Sequence, residues 1–409
     1  MTEPLSELSP RPSWLPSVTG LRWWAALFVL GQHIALAASE SCPPDGGPVG
    51  CTVLSQGFMH GFVGVACFFV ISGFVLVWSV NPADRAPAFW LRRFAKIYPL
   101  LLLSNIVDLL INLTTGAEPL PSVGTVVANL FVVQAWIPGS DLPLQMNQVT
   151  WSLSCEVFFY LLFPLLFFCL DRMRTSTLRL LFAGMFVWPA LVFFGAKLLA
   201  PESMADPGFA SQLLYFWPVT RISEFVIGMV AAVLVKRGAW KGIPVLLAIV
   251  LTLAAYAGGI PLLPELAENA PILGAAMVPL FALLIVSLAN ADITGRRSFM
   301  RSRTMVVLGM ISYAMYLFHV FIAQWLSTAL SWTNSWEILS NVVTIVVFCT
   351  LCAWALFRGV EKPMQRLLSP PRHKPVRRTP EAPEPVPSWS ASASGSRWTE
   401  QGRVGGQDL

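Results

Sequence analysis

About ten runs of roughly 20 apolar residues divide this chain, and they restrict its fold more than any other feature. A helix of that length crosses the hydrocarbon core of a bilayer, which is about 30 Å thick. The runs lie at 21–38, 57–79, 89–112, 151–170, 178–198, 213–235, 243–260, 271–290, 305–330 and 337–358. A shorter stretch, 122–137, predicts an interfacial or re-entrant helix. Because 55% of the residues are hydrophobic and only 12% are charged, an ordinary soluble domain is excluded. We therefore expect an all-α, polytopic membrane protein of about ten transmembrane helices.

The basic residues of the loops predict the orientation of the chain. Every second connection, beginning with the one that contains "NPADRAPAFWLRRFAK", is rich in Lys and Arg. The opposite connections, 39–56, 113–150, 199–212, 261–270 and 331–336, contain neither residue. Since basic loops stay in the cytosol, both termini are predicted to be cytosolic, in a multi-pass protein of the inner (plasma) membrane.

The two ends of the chain differ from its apolar centre. We expect a cytosolic N-terminal segment at 1–19, a membrane domain at 20–368 and a disordered cytosolic tail at 369–409, which is rich in Pro, Ser and Gly. No signal-peptide cleavage pattern precedes the first apolar run, so that run is predicted to stay as a membrane anchor.

The seven cysteines divide between loop and membrane. Cys42 and Cys51 share the first external loop, where they are a candidate disulfide or two separate thiols. The other five lie in the apolar runs, where cysteine packs as a small apolar residue. We predict no metal site.

Ionisable residues inside the apolar runs are functional candidates, because a charge at membrane depth is costly. His33, Glu156, Arg221 and His319 come from four different runs, and Glu224 lies one helical turn from Arg221. Counting about 1.5 Å per residue places the four about 18–21 Å from the cytosolic face, which predicts one buried polar site. Two structural alternatives remain: an ion pair between Glu156 and Arg221, and histidines that only hydrogen-bond between helices.

A second polar group lies towards the cytosol. Arg22 precedes His33 by 11 positions, so the two share one helix face at a separation of about 16 Å. "FWLRRFAK" places Arg92, Arg93 and Lys96 at the inner end of the third run, where they bind a phosphate or simply anchor the helix. Ser72 and Gly73 allow the close approach of a slender ligand or of another helix.

Seven stretches together resemble the acyltransferase-3 family of integral membrane acyltransferases. The stretches are the spaced pair Arg22 and His33, "FFVISGF" (68–74), "RRFAKIYP" (92–99), "WSLSCEVFFYLLFP" (151–164), "RISEFVIGM" (221–229), "ISYAMYLFH" (311–319) and "VEKP" (360–363). Each motif alone is weak, but they follow the family's order across the membrane region. The chain departs from the family pattern at Lys96, where arginine is usual, at Cys155 and Val157 beside Glu156, and at Phe318, where tryptophan is frequent.

The resemblance implies an acyl-CoA-dependent O-acyltransferase with no bound cofactor. The acyl group, commonly acetyl, would pass from cytosolic acyl-CoA to a hydroxyl of a cell-envelope carbohydrate, a glycolipid or a sugar-bearing natural product. An alcohol needs a base to take its proton as it attacks a thioester, and burial at membrane depth favours the neutral imidazole that can do so. His33 is the predicted base, and Glu156 would orient it or bind the acceptor.

The remaining candidates divide between donor and acceptor. Arg22, Arg92, Arg93 and Lys96 would hold acyl-CoA, with Ser72 and Gly73 along its pantetheine arm. Arg221, Glu224 and His319, with Trp151, Ser152 and Tyr313 of the same motifs, are candidates for the acceptor side or for stabilising the oxyanion. A covalent acyl-histidine and direct transfer both remain open.

A transporter or flippase is the rival function, because it would use the same buried polar layer for substrate or protons. The sequence shows no inverted repeat, which weighs against it. Release of CoA from labelled acyl-CoA in the presence of acceptor separates an enzyme from a transporter.

Overall fold

The structure is a computed structural model that describes residues 12, 14–39, 48–81, 84–116, 119–262 and 270–370. These residues form helices joined by short turns and one longer irregular loop, and no β-strand occurs among them. Chain contacts group Met1–Arg372 into one unit. Residues 371–409 lie outside the described part of the chain, so the predicted tail and the domain limits stay predictions.

Sixteen α-helices are found in the described residues. They are α1 (Pro16–Ala37), α2 (Val49–Phe58), α3 (Val63–Ser79), α4 (Ala86–Thr115), α5 (Val123–Leu130), α6 (Trp151–Arg172), α7 (Thr175–Gly184), α8 (Trp188–Leu199), α9 (Pro201–Met204), α10 (Pro207–Tyr215), α11 (Pro218–Lys236), α12 (Val245–Leu262), α13 (Ala270–Ile293), α14 (Arg303–Ala329), α15 (Ser335–Leu356) and α16 (Lys362–Leu368). Two 3₁₀ turns, Leu142–Leu144 and Phe299–Arg301, and one π-helical turn, Phe357–Glu361, complete the helical structure of this part.

Seven helical segments of the described residues are long and apolar enough to cross a membrane. They are Val49–Ser79, Ala86–Thr115, Trp151–Arg172, Pro207–Lys236, Pro271–Ile293, Arg303–Ala329 and Ser335–Leu368. The pair α7 and α8, bent by 55°, makes an eighth if it is counted as one span. The chain is therefore a multi-pass membrane protein whose described part is all-helical, while the count of ten spans and the orientation of the termini stay predictions.

The two remaining predicted spans are also helices. The run 21–38 lies in α1, whose polar residues Arg22, Gln32 and His33 dilute its apolar character. The run 243–260 lies in α12, which contains a shorter apolar helix, Val245–Gly258. Both helices pack within the bundle, α1 along α14 and α12 along α13.

Close packing of α1 on α14 sets the frame of the site. Gly309 of α14 lies so near α1 that a Cβ atom there would be 1.9 Å from the carbonyl oxygen of Thr19. Only a residue without a side chain fits at such a distance, so the two backbones touch at this level. Further along the same contact, the side chains of α1 and α14 meet directly.

An irregular loop, 131–150, connects α5 to α6. The predicted interfacial or re-entrant helix at 122–137 is the short helix α5, after which Val132 and Met146 take positive φ angles of 58° and 60°. The loop is fastened by buried amides, and the Asn147 side chain donates to the carbonyl oxygen of Leu317 in α14 at 3.0 Å. The loop therefore packs against α14 two residues from His319.

Candidate active site

Two neighbouring helices carry the central residues of the site. On α1, Arg22 and His33 lie on one face, as their spacing predicts. On α14, Tyr313, Tyr316 and His319 follow at intervals of three residues and so also share a face. Because α1 packs along α14, the site has two parts, which we call the cationic cavity, around Arg22 and Tyr313, and the histidine pair, His33 and His319.

The histidine pair is a direct contact between two rings. Nε2 of His319 lies 3.2 Å from Nδ1 of His33, and the rings meet edge to face with centroids 4.8 Å apart. Nδ1 of His33 is also 2.9 Å from the carbonyl oxygen of Val29, and Nδ1 of His319 is 2.7 Å from that of Tyr316. His319 is fully buried, whereas His33 is half-buried.

These contacts define which ring nitrogens carry hydrogen. A carbonyl oxygen only accepts, so Nδ1 of each histidine must be the N–H donor to its own helix. Nε2 of a neutral His319 then holds a lone pair directed at the Nδ1–H of His33. Nε2 of His33 holds a lone pair as well, and it makes no hydrogen bond within the described residues. The arrangement leaves one imidazole nitrogen free to accept a proton.

The cationic cavity consists of two adjoining spaces of about 80 Å³ and 50 Å³. Both are lined by Arg22, Phe68, Glu156 and Tyr313. The larger space also contacts Ser72, Arg93, Lys96 and Tyr160, and the smaller one contacts Ser152, Ser312 and Tyr316. Tyr316 contacts both parts of the site. Its side chain lines the smaller space of the cavity, and its carbonyl oxygen accepts a hydrogen bond from His319.

The charges of the cavity favour an anion. Three basic side chains, those of Arg22, Arg93 and Lys96, line it, against the single carboxylate of Glu156. Glu156 accepts a hydrogen bond from the Tyr160 hydroxyl at 2.9 Å. The Arg22 guanidinium forms neither a hydrogen bond nor an ion pair with any described residue. A guanidinium left open in a cavity is prepared for phosphate or carboxylate groups of a ligand.

The predicted donor residues do not all line the cavity. Arg92 forms an ion pair with Asp84, and Arg93, the next residue, lines the cavity instead. Lys96 lines the cavity while its ammonium contacts Glu361 at 3.1 Å. Neighbouring residues of a helix point about 100° apart, which explains why the two arginines separate.

Gly73 is a packing residue of α3 rather than part of the cavity wall. A Cβ atom at this position would lie 2.0 Å from the carbonyl oxygen of Phe225, and one at Gly228 would lie 2.1 Å from that of Val70. The two glycines therefore let α3 and α11 touch. Ser72, its neighbour, does line the cavity, with its hydroxyl 3.3 Å from that of Tyr160.

The buried Arg221 pairs with Glu224 and not with Glu156. Its Nε and Nη2 donate to one oxygen of Glu224 at 3.1 Å and 3.0 Å, and Nη1 donates to the carbonyl oxygen of Tyr215. The alternative ion pair of Arg221 with Glu156 is thus wrong. The rings of Phe69, Trp151 and Tyr215 surround the guanidinium at 5.2–5.7 Å. Arg221 and Glu224 also line a separate cavity of about 390 Å³ among α8, α11 and α13. Their role on the acceptor side stays a prediction.

Two further candidates lie against the cavity itself. Ser152 shares a hydrogen bond of 2.7 Å with the hydroxyl of Tyr316. Tyr313 donates to the carbonyl oxygen of Ile97 at 2.7 Å, which fixes its ring in the wall common to both spaces. Trp151, by contrast, belongs to the aromatic cage of Arg221.

Sequence reasoning missed Tyr160, Tyr316 and Glu361 as members of the site. Tyr160 carried a usable signal, because it follows Glu156 by four residues and so lies on the same helix face. Glu361 carried a signal as part of the "VEKP" motif, but its contact with Lys96, 265 residues away in the chain, could not be predicted.

The structure describes only one of the two cysteines of the predicted disulfide. Cys51 is buried and disulfide-bonded. Cys42, its predicted partner, lies outside the described residues, so the pairing stays a prediction.

A multi-pass helical bundle with these motifs is a membrane-integrated acyltransferase. Residues 15–358 match the sequence family described as "Acyltransferase domain", which spans nearly the whole membrane region. The chain belongs to this family, the acyltransferase-3 family, as its seven motifs predicted.

Curated relatives share the class of reaction. The acyltransferase MdmB of Streptomyces mycarofaciens is 34% identical over 388 residues, which are 91% of this chain and 97% of the relative. The peptidoglycan O-acetyltransferase OatA of Listeria monocytogenes is 23% identical over 86% of this chain and 56% of its own length. The O-acetyltransferase OatA of Staphylococcus aureus is 23% identical over 87% of this chain and 58% of its own length. The chain therefore spans little more than half of the two OatA proteins. No solved structure is a significant match.

Proposed function

We propose that this protein transfers an acyl group, acetyl in the first instance, from cytosolic acyl-CoA to a hydroxyl of a carbohydrate-bearing acceptor. The observation that carries the proposal is the histidine pair, which leaves Nε2 of His33 as an unprotonated nitrogen inside a membrane acyltransferase. Membership of an acyltransferase family favours an acyltransferase over a transporter. The transporter alternative rested only on the buried polar layer.

His33 acts as the general base of the transfer. The acceptor hydroxyl gives its proton to Nε2 of His33 while its oxygen attacks the thioester carbon. His319 then accepts the Nδ1–H of His33, which stabilises the imidazolium and holds the ring in one tautomer. The tetrahedral intermediate collapses, the C–S bond breaks, and the proton on His33 passes to the CoA sulfur.

The cationic cavity holds the donor. Its two spaces are far smaller than the roughly 300 Å³ at which pockets begin to enclose a drug-sized ligand. They suit the thioester end of the pantetheine arm, whereas the rest of the arm and the nucleotide part of CoA extend towards the cytosol. Arg93 and Lys96 bind its phosphates, and the open guanidinium of Arg22 holds the arm deeper in the cavity.

Glu156 acts from the cavity wall. It lines both spaces together with Arg22, and its carboxylate is held by Tyr160. No contact joins it to either histidine within the described residues, so we assign it to binding the acceptor hydroxyl or a donor amide rather than to orienting His33.

The acceptor belongs to the cell envelope or to a secreted product. One relative is named a peptidoglycan O-acetyltransferase, which supports a carbohydrate hydroxyl as the acceptor. Because acyl-CoA is cytosolic and such acceptors leave the cell, we propose that the enzyme lies in the plasma membrane. The acceptor classes are cell-envelope carbohydrates, glycolipids and sugar-bearing natural products.

Mass spectrometry of a strain that lacks the gene tests the proposal. Envelope carbohydrates, glycolipids and secreted metabolites are compared with those of the parent strain, and one acyl group is expected to be lost. The wild-type gene should restore it, and a His33→Gln gene expressed at equal level in membranes should not. An unchanged acyl inventory contradicts the function, and restoration by His33→Gln contradicts the role of His33.

A further inference from the structure

The end of the last long helix places a buried carboxylate behind the cationic cavity. Glu361 ends the π-helical turn Phe357–Glu361, and its side chain is fully buried. Its Oε1 accepts a hydrogen bond from Nζ of Lys96 at 3.1 Å. π-helical turns are rare and frequently occur at functional sites, because they turn one side chain out of the regular helical register.

This ion pair is unlike one that serves stability alone. Burying a carboxylate is costly, and well-packed apolar residues often stabilise a fold as well or better. Oε2 of Glu361 makes no hydrogen bond within the described part of the chain, so the pair is incomplete. Lys96, its partner, is partly open on the cavity side, with 27% of its side chain exposed.

We infer that Glu361 is a positioning residue for the donor. It fixes the ammonium of Lys96 in the cavity wall, which leaves the other N–H groups of that ammonium for a phosphate of acyl-CoA. The inference rests on the proposed function, because it takes acyl-CoA as the donor. It also accounts for the "VEKP" motif, to which the proposed transfer gives no role.

A second ion pair, close to Lys96 in the chain, supplies a matched control. Arg92 lies in α4 one turn before Lys96, and Asp84 lies just before the start of that helix, but neither of them lines the cavity. Removing the charge of Asp84 therefore tests the effect of losing a carboxylate partner without touching the donor.

Binding of two donors to the purified full-length protein in detergent tests the inference. Acetyl-CoA carries the phosphates, and S-acetylpantetheine carries the same thioester without them. Glu361→Ala should weaken acetyl-CoA binding about tenfold, within the range expected for directly coupled neighbours. Glu361→Gln, which keeps an acceptor oxygen, should weaken it less, and S-acetylpantetheine binding should stay unchanged in both variants.

A double variant separates positioning from general damage. Lys96→Met should weaken acetyl-CoA binding, and adding Glu361→Gln to it should cause no further loss. Asp84→Asn should leave both affinities unchanged. If Glu361→Ala fails to fold, the nearly isosteric Glu361→Gln still tests the inference through the same comparison of acetyl-CoA with S-acetylpantetheine.

Three results would overturn the inference while the wild type binds acetyl-CoA. They are an equal loss for both donors, unchanged affinity for both, and tighter binding of acetyl-CoA, which would mean that Glu361 only offsets charge. Failure of the wild type to bind acetyl-CoA would instead overturn acyl-CoA as the donor in the proposed function, and the role of Glu361 with it.

Discussion

At the scale of the residue, the proposed chemistry rests on a single hydrogen bond between two histidines. His33 and His319 both use Nδ1 to bond a carbonyl of their own helix, so the tautomers follow from the backbone. The sequence allowed both residues to be placed in one layer, but not in contact. Depth along a helix follows from counting residues, whereas the direction of one helix face towards another depends on packing that is settled only in the whole bundle.

Replacing His319 should slow transfer more than it weakens donor binding. His319→Phe keeps a ring of similar size but removes one of the two acceptors of the Nδ1–H of His33, the other being the Val29 carbonyl oxygen. We therefore expect the transfer rate to fall about 100-fold, the lower end of what a general base contributes. The measurement is single-turnover transfer from acetyl-CoA, with acetyl-CoA affinity measured in parallel. His319→Gln, which retains an acceptor oxygen, should recover part of the rate. A normal rate in His319→Phe would show that His33 acts without its neighbour.

The pair of Arg221 and Glu224 should matter for stability. Glu224→Gln leaves a buried guanidinium without its counter-charge, and breaking a buried pair costs about 3–5 kcal/mol. Thermal unfolding in detergent should therefore shift to a clearly lower temperature. The double variant Arg221→Leu with Glu224→Leu should unfold closer to the wild type than Glu224→Gln does. If Glu224→Gln kept full stability but lost transfer, Arg221 and Glu224 would act in binding the acceptor and not in stabilising the fold.

Helix positions at the scale of the element were largely predictable, because most runs of about 20 apolar residues became single helices. The run 178–198 did not. It divides into α7 and α8 at residues 185–187, and Pro189 is the second residue of α8. Proline has no N–H for the preceding turn and disfavours a helical residue before it, so hydropathy alone overlooks the break.

The contact between α3 and α11 depends on glycine. Gly73→Ala places a methyl group against the Phe225 carbonyl, and the helices must move apart, at a cost of about 1–3 kcal/mol or more. We expect a lower unfolding temperature in detergent. Gly195→Ala in α8 is the control, because no atom lies within 4 Å of the added methyl group and alanine favours a helix. Equal stability of the two variants would contradict the packing role of Gly73.

The positions of the basic residues set an expectation for the whole molecule. All external connections predicted from the sequence lack Lys and Arg, and the basic side chains of the cavity, Arg93 and Lys96, lie near the predicted cytosolic end of α4. Which charges line a cavity could not be predicted, as the separation of Arg92 from Arg93 shows. The side of the membrane to which the cavity opens stays a prediction.

Sealed membrane vesicles of opposite orientation test that expectation. Acetyl-CoA does not cross a bilayer, so inverted vesicles, which expose the cytosolic face, should bind and use it. Right-side-out vesicles should do so only after permeabilisation with detergent. Equal use by intact right-side-out vesicles would place the donor cavity on the other face and reverse the predicted orientation.

The contact of α1 with α14 has one more consequence, because it carries both parts of the site. Arg22 and His33 share one helix, and Tyr313 and His319 share its neighbour. A shift of one helix along the other changes the shape of the cavity and the histidine contact together. Binding of the donor and binding of a proton to the base are then thermodynamically linked. If the bound donor changes the affinity of the base for a proton by some factor, protonation of the base changes the affinity for the donor by the same factor.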